Sequence, residues 1–194
     1  MKKRLLLLSF IISMATVSRA QWSAGALVGL GHLYQRQVSE SPEYVSIAAV
    51  EPLQPLILAG GYGQFATKGK WTMLAGLQLR YQHQSQTRGP YDYLVVTPYV
   101  GTRLFKKLEI TVGPELSTLL HTGFASMGGG AIHNPTKLVM GYNLKATYWF
   151  GRLGLEGGYS HQNTAFNREE HPLTTTFSFY NRYLYGALKY RLTQ

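Results

Sequence analysis

The 194-residue chain contains no cysteine. No disulfide can brace it and no lipid can be attached through an N-terminal cysteine, so its stability has to come from packing and backbone pairing. Charge is sparse, at 14% of residues, and few segments show the 3.6-residue spacing of an amphipathic helix. Beyond the first twenty residues no apolar run is long enough for a membrane helix. If this chain spans a bilayer, it does so with strands.

What is present begins with Lys2, Lys3 and Arg4, an apolar stretch from Leu5 to Val17, and Ser18-Arg19-Ala20 before Gln21. That order is the pattern of a secretory signal peptide, so residues 1–20 are read as a cleaved leader and residues 21–194 as one domain. Without the leader's four basic residues the formal charge falls from +10 to +6. For an exported chain the expected counter-charge is lipid phosphate, not nucleic acid.

From Gln21 onward the period is two. Trp71, Met73, Ala75, Leu77, Leu79 and Tyr81 share one face, while Thr72, Gly76, Gln78 and Arg80 take the other. The same alternation opposes Leu108, Ile110, Val112 and Leu116 to Glu109, Thr111, Glu115 and Ser117. It also opposes Leu138, Met140, Tyr142, Leu144 and Tyr148 to Gly141, Asn143, Lys145 and Thr147. One face suits lipid and the other a polar lumen. Eight strands are expected near 22–34, 54–65, 71–83, 91–104, 108–120, 138–150, 153–162 and 177–192, with a local bulge at Pro98, which has no N–H to donate. Tight turns at 66–70, 105–107 and 151–152 alternate with longer loops at 35–53, 84–90, 121–137 and 163–176, the asymmetry of bacterial outer-membrane barrels with periplasmic termini. Aromatics gather at both expected interfaces: Trp22, Phe65, Trp71, Phe105, Phe150 and Tyr190 at one, and Tyr34, Tyr81, Tyr91, Tyr159 and Phe179 at the other. The competing fold is a soluble β-sandwich or lipocalin-like barrel, whose apolar face would point inward.

In hydrocarbon an unpaired backbone group costs several kcal/mol, so a membrane sheet must close on itself. The expected fold is therefore all-β, an eight-stranded antiparallel transmembrane up-and-down β-barrel. At eight strands side chains fill the interior. Glycines on the inner face, among them Gly25, Gly76, Gly113 and Gly158, make room for larger neighbours. Arg80, Glu109, Glu115, Lys145, Glu156 and Lys189 have lumen parity and form the candidate site, a polar network in which Lys145 is expected to pair with its diagonal neighbour Glu156. Such a network reads either as a structural plug or as a proton or ion path.

Tyr93-Leu94-Val95-Val96-Thr97-Pro98, Phe105-Lys106-Lys107, Gly113-Pro114-Glu115 and the closing Leu188-Lys189-Tyr190-Arg191-Leu192 resemble the PorT-like outer-membrane β-barrel family. The resemblance implies an outer-membrane location and leaves activity open, since only the founding member is tied to protein secretion. The stretch Tyr159-Ser160-His161-Gln162-Asn163-Thr164-Ala165 weakly resembles the serine–histidine segment of lipid A deacylase barrels. Adjacent strand residues point to opposite faces, however, so Ser160 and His161 are not expected to pair.

The six histidines, His32, His83, His121, His133, His161 and His171, fall near the outer rim or its loops. His32, His83 and His161 face outward on separate strands and diverge, so no metal is expected. Met127-Gly128-Gly129-Gly130-Ala131 lacks a following Lys-Ser or Lys-Thr and reads as mobile loop, as does Asn167-Arg168-Glu169-Glu170-His171. The expectation is a non-enzymatic barrel without cofactor, in contact with outer-membrane lipid and lipopolysaccharide and with an envelope protein through its outer loops or periplasmic turns. The alternatives are an accessory to secretion or envelope assembly, and a lipid A deacylase-like esterase.

Overall fold

The computed structural model describes residues 21–40, 45–49, 54–68, 72–85, 90–123, 132–170 and 176–193. The proposed leader, Trp71, His171 and the triple-glycine run lie outside the described residues. Eight long strands form the barrel: β1 (Gln21–Glu40), β3 (Gln54–Ala66), β4 (Thr72–Gln84), β5 (Tyr91–Leu104), β6 (Leu108–Thr122), β8 (Leu138–Phe150), β9 (Leu153–Gln162) and β11 (Thr176–Arg191). Each pairs antiparallel with the next, and β1 pairs with β11 from Gly25 opposite Arg191 to Glu40 opposite Thr176, which closes the sheet. The seam is tied past its last ladder pair: Leu192 N–H donates to Ala24 O at 2.8 Å, and Ala24 N–H donates to Thr193 Oγ1 at 2.9 Å.

Alternation sets which face is which. On β4, Met73, Leu77, Leu79 and Tyr81 are exposed on the outside, whereas Leu74, Gln78, Arg80 and Gln82 are buried within. On β8 the exposed Leu138, Met140, Tyr142, Leu144 and Tyr148 alternate with buried Val139, Asn143, Lys145 and Thr147. The exterior is an apolar belt around a largely polar lumen, so the chain is a transmembrane β-barrel and not a soluble barrel with an apolar inside. Trp22 and Tyr34 bound the belt on β1. They are twelve residues apart, about 40 Å along a strand and about 30 Å once tilted by some 40°, which matches the hydrocarbon thickness.

Short turns gather at the end where β1 begins and β11 ends. At 104–107 two consecutive residues have positive φ, Phe105 at 49° and Lys106 at 63°, and Lys107 N–H donates to Leu104 O at 3.1 Å. That is a type I′ hairpin turn, normally filled by Asn-Gly, because its backbone twist matches the strands it joins. Gly151, at φ 66°, serves the turn between β8 and β9.

Four expectations need correction. The long-loop end is not all loop: β2 (Val45–Ala49) pairs with β1, β10 (Asn167–Glu170) pairs with β11, and β7 (Ile132–Pro135) pairs with β10. Beyond the barrel the sheet thus continues in the order β2-β1-β11-β10-β7. Asn167–Glu170 is strand, not free loop, held by backbone pairing on both sides. Tyr91 and Phe179 do not join the aromatic girdle expected at the long-loop end; they point inward and, with Tyr93, Val95, Val139 and Phe166, form an apolar cluster under the long-loop mouth. The register shift in β5 falls between Asp92 and Tyr93, not at Pro98. Around Pro98 the β5–β6 pairs stop at Val96–Leu116 and resume in unchanged register at Val100–Val112. That register sets Pro98 level with Pro114, and neither can donate to the ladder.

Candidate functional site in the barrel interior

Period-two alternation brings the charged lumen residues to three levels along the axis. Nearest the short-turn end, Glu109 on β6 accepts from Arg103 Nη2 at 2.6 Å and Nε at 3.0 Å, lies 3.7 Å from Arg191 Nη2, and accepts from Gln64 Nε2 at 3.3 Å. Arg191 packs its guanidinium 4.0 Å from the centre of the Trp149 ring.

Midway, Glu156 on β9 accepts from Lys189 Nζ at 3.0 Å, Thr147 Oγ1 at 3.1 Å and Gln78 Nε2 at 3.3 Å, with Tyr185 OH also at 3.3 Å. Lys145 does not pair directly with it. Glu156 is opposite Thr147, and Lys145 is opposite Gly158. The ammonium reaches across the lumen to β4, where it donates to Gln78 Oε1 at 2.5 Å and sits 4.0 Å over the Tyr99 ring. The Gln78 amide therefore relays between Lys145 and Glu156, accepting from one and donating to the other.

Toward the long-loop end, Arg80 Nη2 donates to Glu115 Oε2 at 2.5 Å and to Tyr183 OH at 2.7 Å, while Nη1 donates to Tyr185 OH at 3.3 Å. Tyr183 OH in turn donates to Glu115 Oε1, which also accepts from Ser160 Oγ at 2.8 Å. Glycine makes these tyrosines fit: a Cβ on Gly158 would stand 2.2 Å from the Tyr185 ring, and one on Gly76 would stand 2.6 Å from Tyr99.

All six site residues are thus buried in one interior, and each of the three carboxylates holds a cation. Arg103, Arg191, Gln64, Gln78, Tyr183 and Tyr185 belong to the same network and were not singled out from the sequence. Arg103 and Arg191 have the lumen parity that could have found them; the tyrosines act across the lumen, where strand alternation gives no distances. Ser160 points into the lumen, whereas His161 faces out and stacks on Tyr142 with ring centres 5.1 Å apart, so the two form no catalytic pair. Of the other histidines, His83 Nδ1 is 2.7 Å from Asp92 Oδ1, to which Tyr81 OH also donates, on the outer face.

No family model matches the chain, and no curated protein matches it. Among solved structures it is similar to Ail, the attachment invasion locus protein of Yersinia pestis, at 11% identity over 89% of this chain and 99% of that one, with a TM-score of 0.43. It is also similar to the outer membrane protein OprG from Pseudomonas aeruginosa, at 10% identity over 89% and 98%, TM-score 0.39, and to the outer membrane protein AlkL, at 8% identity over 90% and 92%, TM-score 0.46. Likeness this distant assigns no activity.

Proposed function

We propose that the chain is a non-enzymatic outer-membrane barrel whose lumen is plugged by its own side chains and whose work is done by the sheet it holds outside the membrane. The observation that carries this reading is the interior itself. Arg80, Gln78, Lys145, Glu115 and Glu156 are each at most 2% exposed and bridge opposite walls of the barrel, as expected at eight strands. The apolar belt supports membrane residence, and closure of the sheet removes the edges that hydrocarbon would penalise. The leader pattern at 1–20 and the short turns beside the termini support export and periplasmic ends.

The resemblance to the PorT-like family favours a second reading, an accessory to a secretion or envelope assembly. Mild crosslinking in the native membrane, followed by purification of the barrel, separates the two. A single stoichiometric envelope partner indicates the accessory role, and its absence indicates a free-standing barrel. Solute swelling of proteoliposomes tests the plug: the refolded protein is expected to pass no small sugar, and swelling at porin-like rates contradicts the proposal.

A further inference from the structure

The outward face of the β9–β11–β1 seam carries two features that the interior network does not use. Near the long-loop end Arg182 stands between Tyr34 on β1 and His161 on β9, and Arg36 stands opposite Tyr180. Arg36, Val38, His161, Tyr180 and Arg182 line a groove of about 340 Å³. Neither arginine has an ion-pair partner among the described residues. Arg182 Nε is buried with no hydrogen-bond partner among the described residues.

Lower on the same strands lies an apolar groove of about 460 Å³, lined by Val28, Leu30, Leu155, Gly186 and Leu188. Gly186 leaves it open, and Gly157 lies beside it, opposite Gly186 across β9 and β11. A Cβ at either would meet nothing within 4 Å, so barrel packing does not require glycine there. Gly186 is four residues below Arg182, about 13 Å along the strand, within the length of one acyl chain. Arg36 is two residues beyond Tyr34 of the outer aromatic level, about 7 Å further out, at the height of lipid headgroups.

We infer that this seam binds one phosphorylated membrane lipid, its phosphate held by Arg36 and Arg182 and one acyl chain lying over Gly157 and Gly186. Two guanidiniums with no ion-pair partner among the described residues match a phosphomonoester in charge and in forked donor geometry, and the groove beneath distinguishes a lipid from free phosphate. The assignment rests on the outer-membrane reading above.

The test is native mass spectrometry of the refolded full barrel in detergent micelles, titrated with phosphatidic acid, with diacylglycerol of the same chains, and with inorganic phosphate. One phosphatidic acid is expected to bind per barrel, with diacylglycerol and inorganic phosphate each far weaker. R36Q/R182Q should weaken phosphatidic acid about 100-fold, at roughly tenfold per charged hydrogen-bonding group, and Gly186→Val about tenfold by filling the groove. In the wild type, the Arg182 Nε–H resonance should shift on titration with phosphatidic acid, which needs no variant to fold. Binding unchanged in R36Q/R182Q, equal binding of diacylglycerol or inorganic phosphate, or an unmoved Arg182 resonance overturns the site. Heat-modifiable electrophoretic mobility, read on the same sample, reports barrel formation separately, so loss of the lipid site is distinguishable from loss of the membrane-barrel reading.

Discussion

Glu156 and Lys145 sit in the same polar layer but carry unequal consequences. Glu156 is the carboxylate nearest two ammonium-bearing strands, bonded to Lys189, Thr147 and Gln78. Glu156→Gln leaves Lys189 without its counter-charge in a closed interior, and breaking a buried pair from one side costs about 3–5 kcal/mol. Urea unfolding in detergent is expected to show a loss of that size, with proteoliposome permeability unchanged. Lys145 has no carboxylate partner; its ammonium rests on an amide oxygen and a tyrosine face. Replacing a buried charge by an apolar side chain of similar length is often close to neutral, so Lys145→Met should cost less than half as much as Glu156→Gln in the same assay. Equal losses would mean that Lys145 supplies charge to Glu156 through Gln78 more strongly than the contacts indicate.

At the scale of single elements, the turn between β5 and β6 holds Lys106 at φ 63°, a region that costs a non-glycine residue roughly 1 kcal/mol. Lys106→Gly is expected to raise unfolding stability by about that amount. A charge on the lipid face acts the other way: Leu77→Arg, at an exposed position inside the β4 belt, should lower stability by about 2–4 kcal/mol, measured by the same unfolding curve. Barrel strands such as β4, β6 and β8 were legible because lipid outside and polar lumen inside impose alternation over ten or more residues, whereas β3 and β5 are apolar on both faces, with Leu56, Leu58, Tyr93 and Val95 buried inside. The short strands β2, β7 and β10 were not legible. Asn167-Arg168-Glu169-Glu170 is polar on both faces and becomes strand only because β11 and β7 offer backbone partners on either side. Parity also explains Tyr91 and Phe179: they lie at strand ends, where an interfacial girdle is expected, but their alternation aims them inward. The missing Lys145–Glu156 contact has a different cause. Sequence places neighbours on adjacent strands, whereas the ammonium's partner, Gln78, lies on a strand across the lumen.

For the whole molecule, one physical arrangement accounts for the composition. A closed sheet needs no disulfide, an apolar exterior needs few surface charges, and a narrow interior needs glycine opposite tyrosine and arginine opposite glutamate. The extension β2-β1-β11-β10-β7 then stands on a rigid base, with the seam strands β1 and β11 running unbroken from the short-turn end into it. The direction of the two faces decides whether the barrel belongs in a membrane, and the absence of cysteine makes it directly measurable. Single cysteines introduced one at a time from Met73 to Tyr81 can be spin-labelled in lipid bilayers and read by collision with oxygen, which concentrates in hydrocarbon. High oxygen accessibility at 73, 75, 77, 79 and 81, with low values at 74, 76, 78 and 80, is the predicted result; the opposite phase, or a period near 3.6, would contradict it.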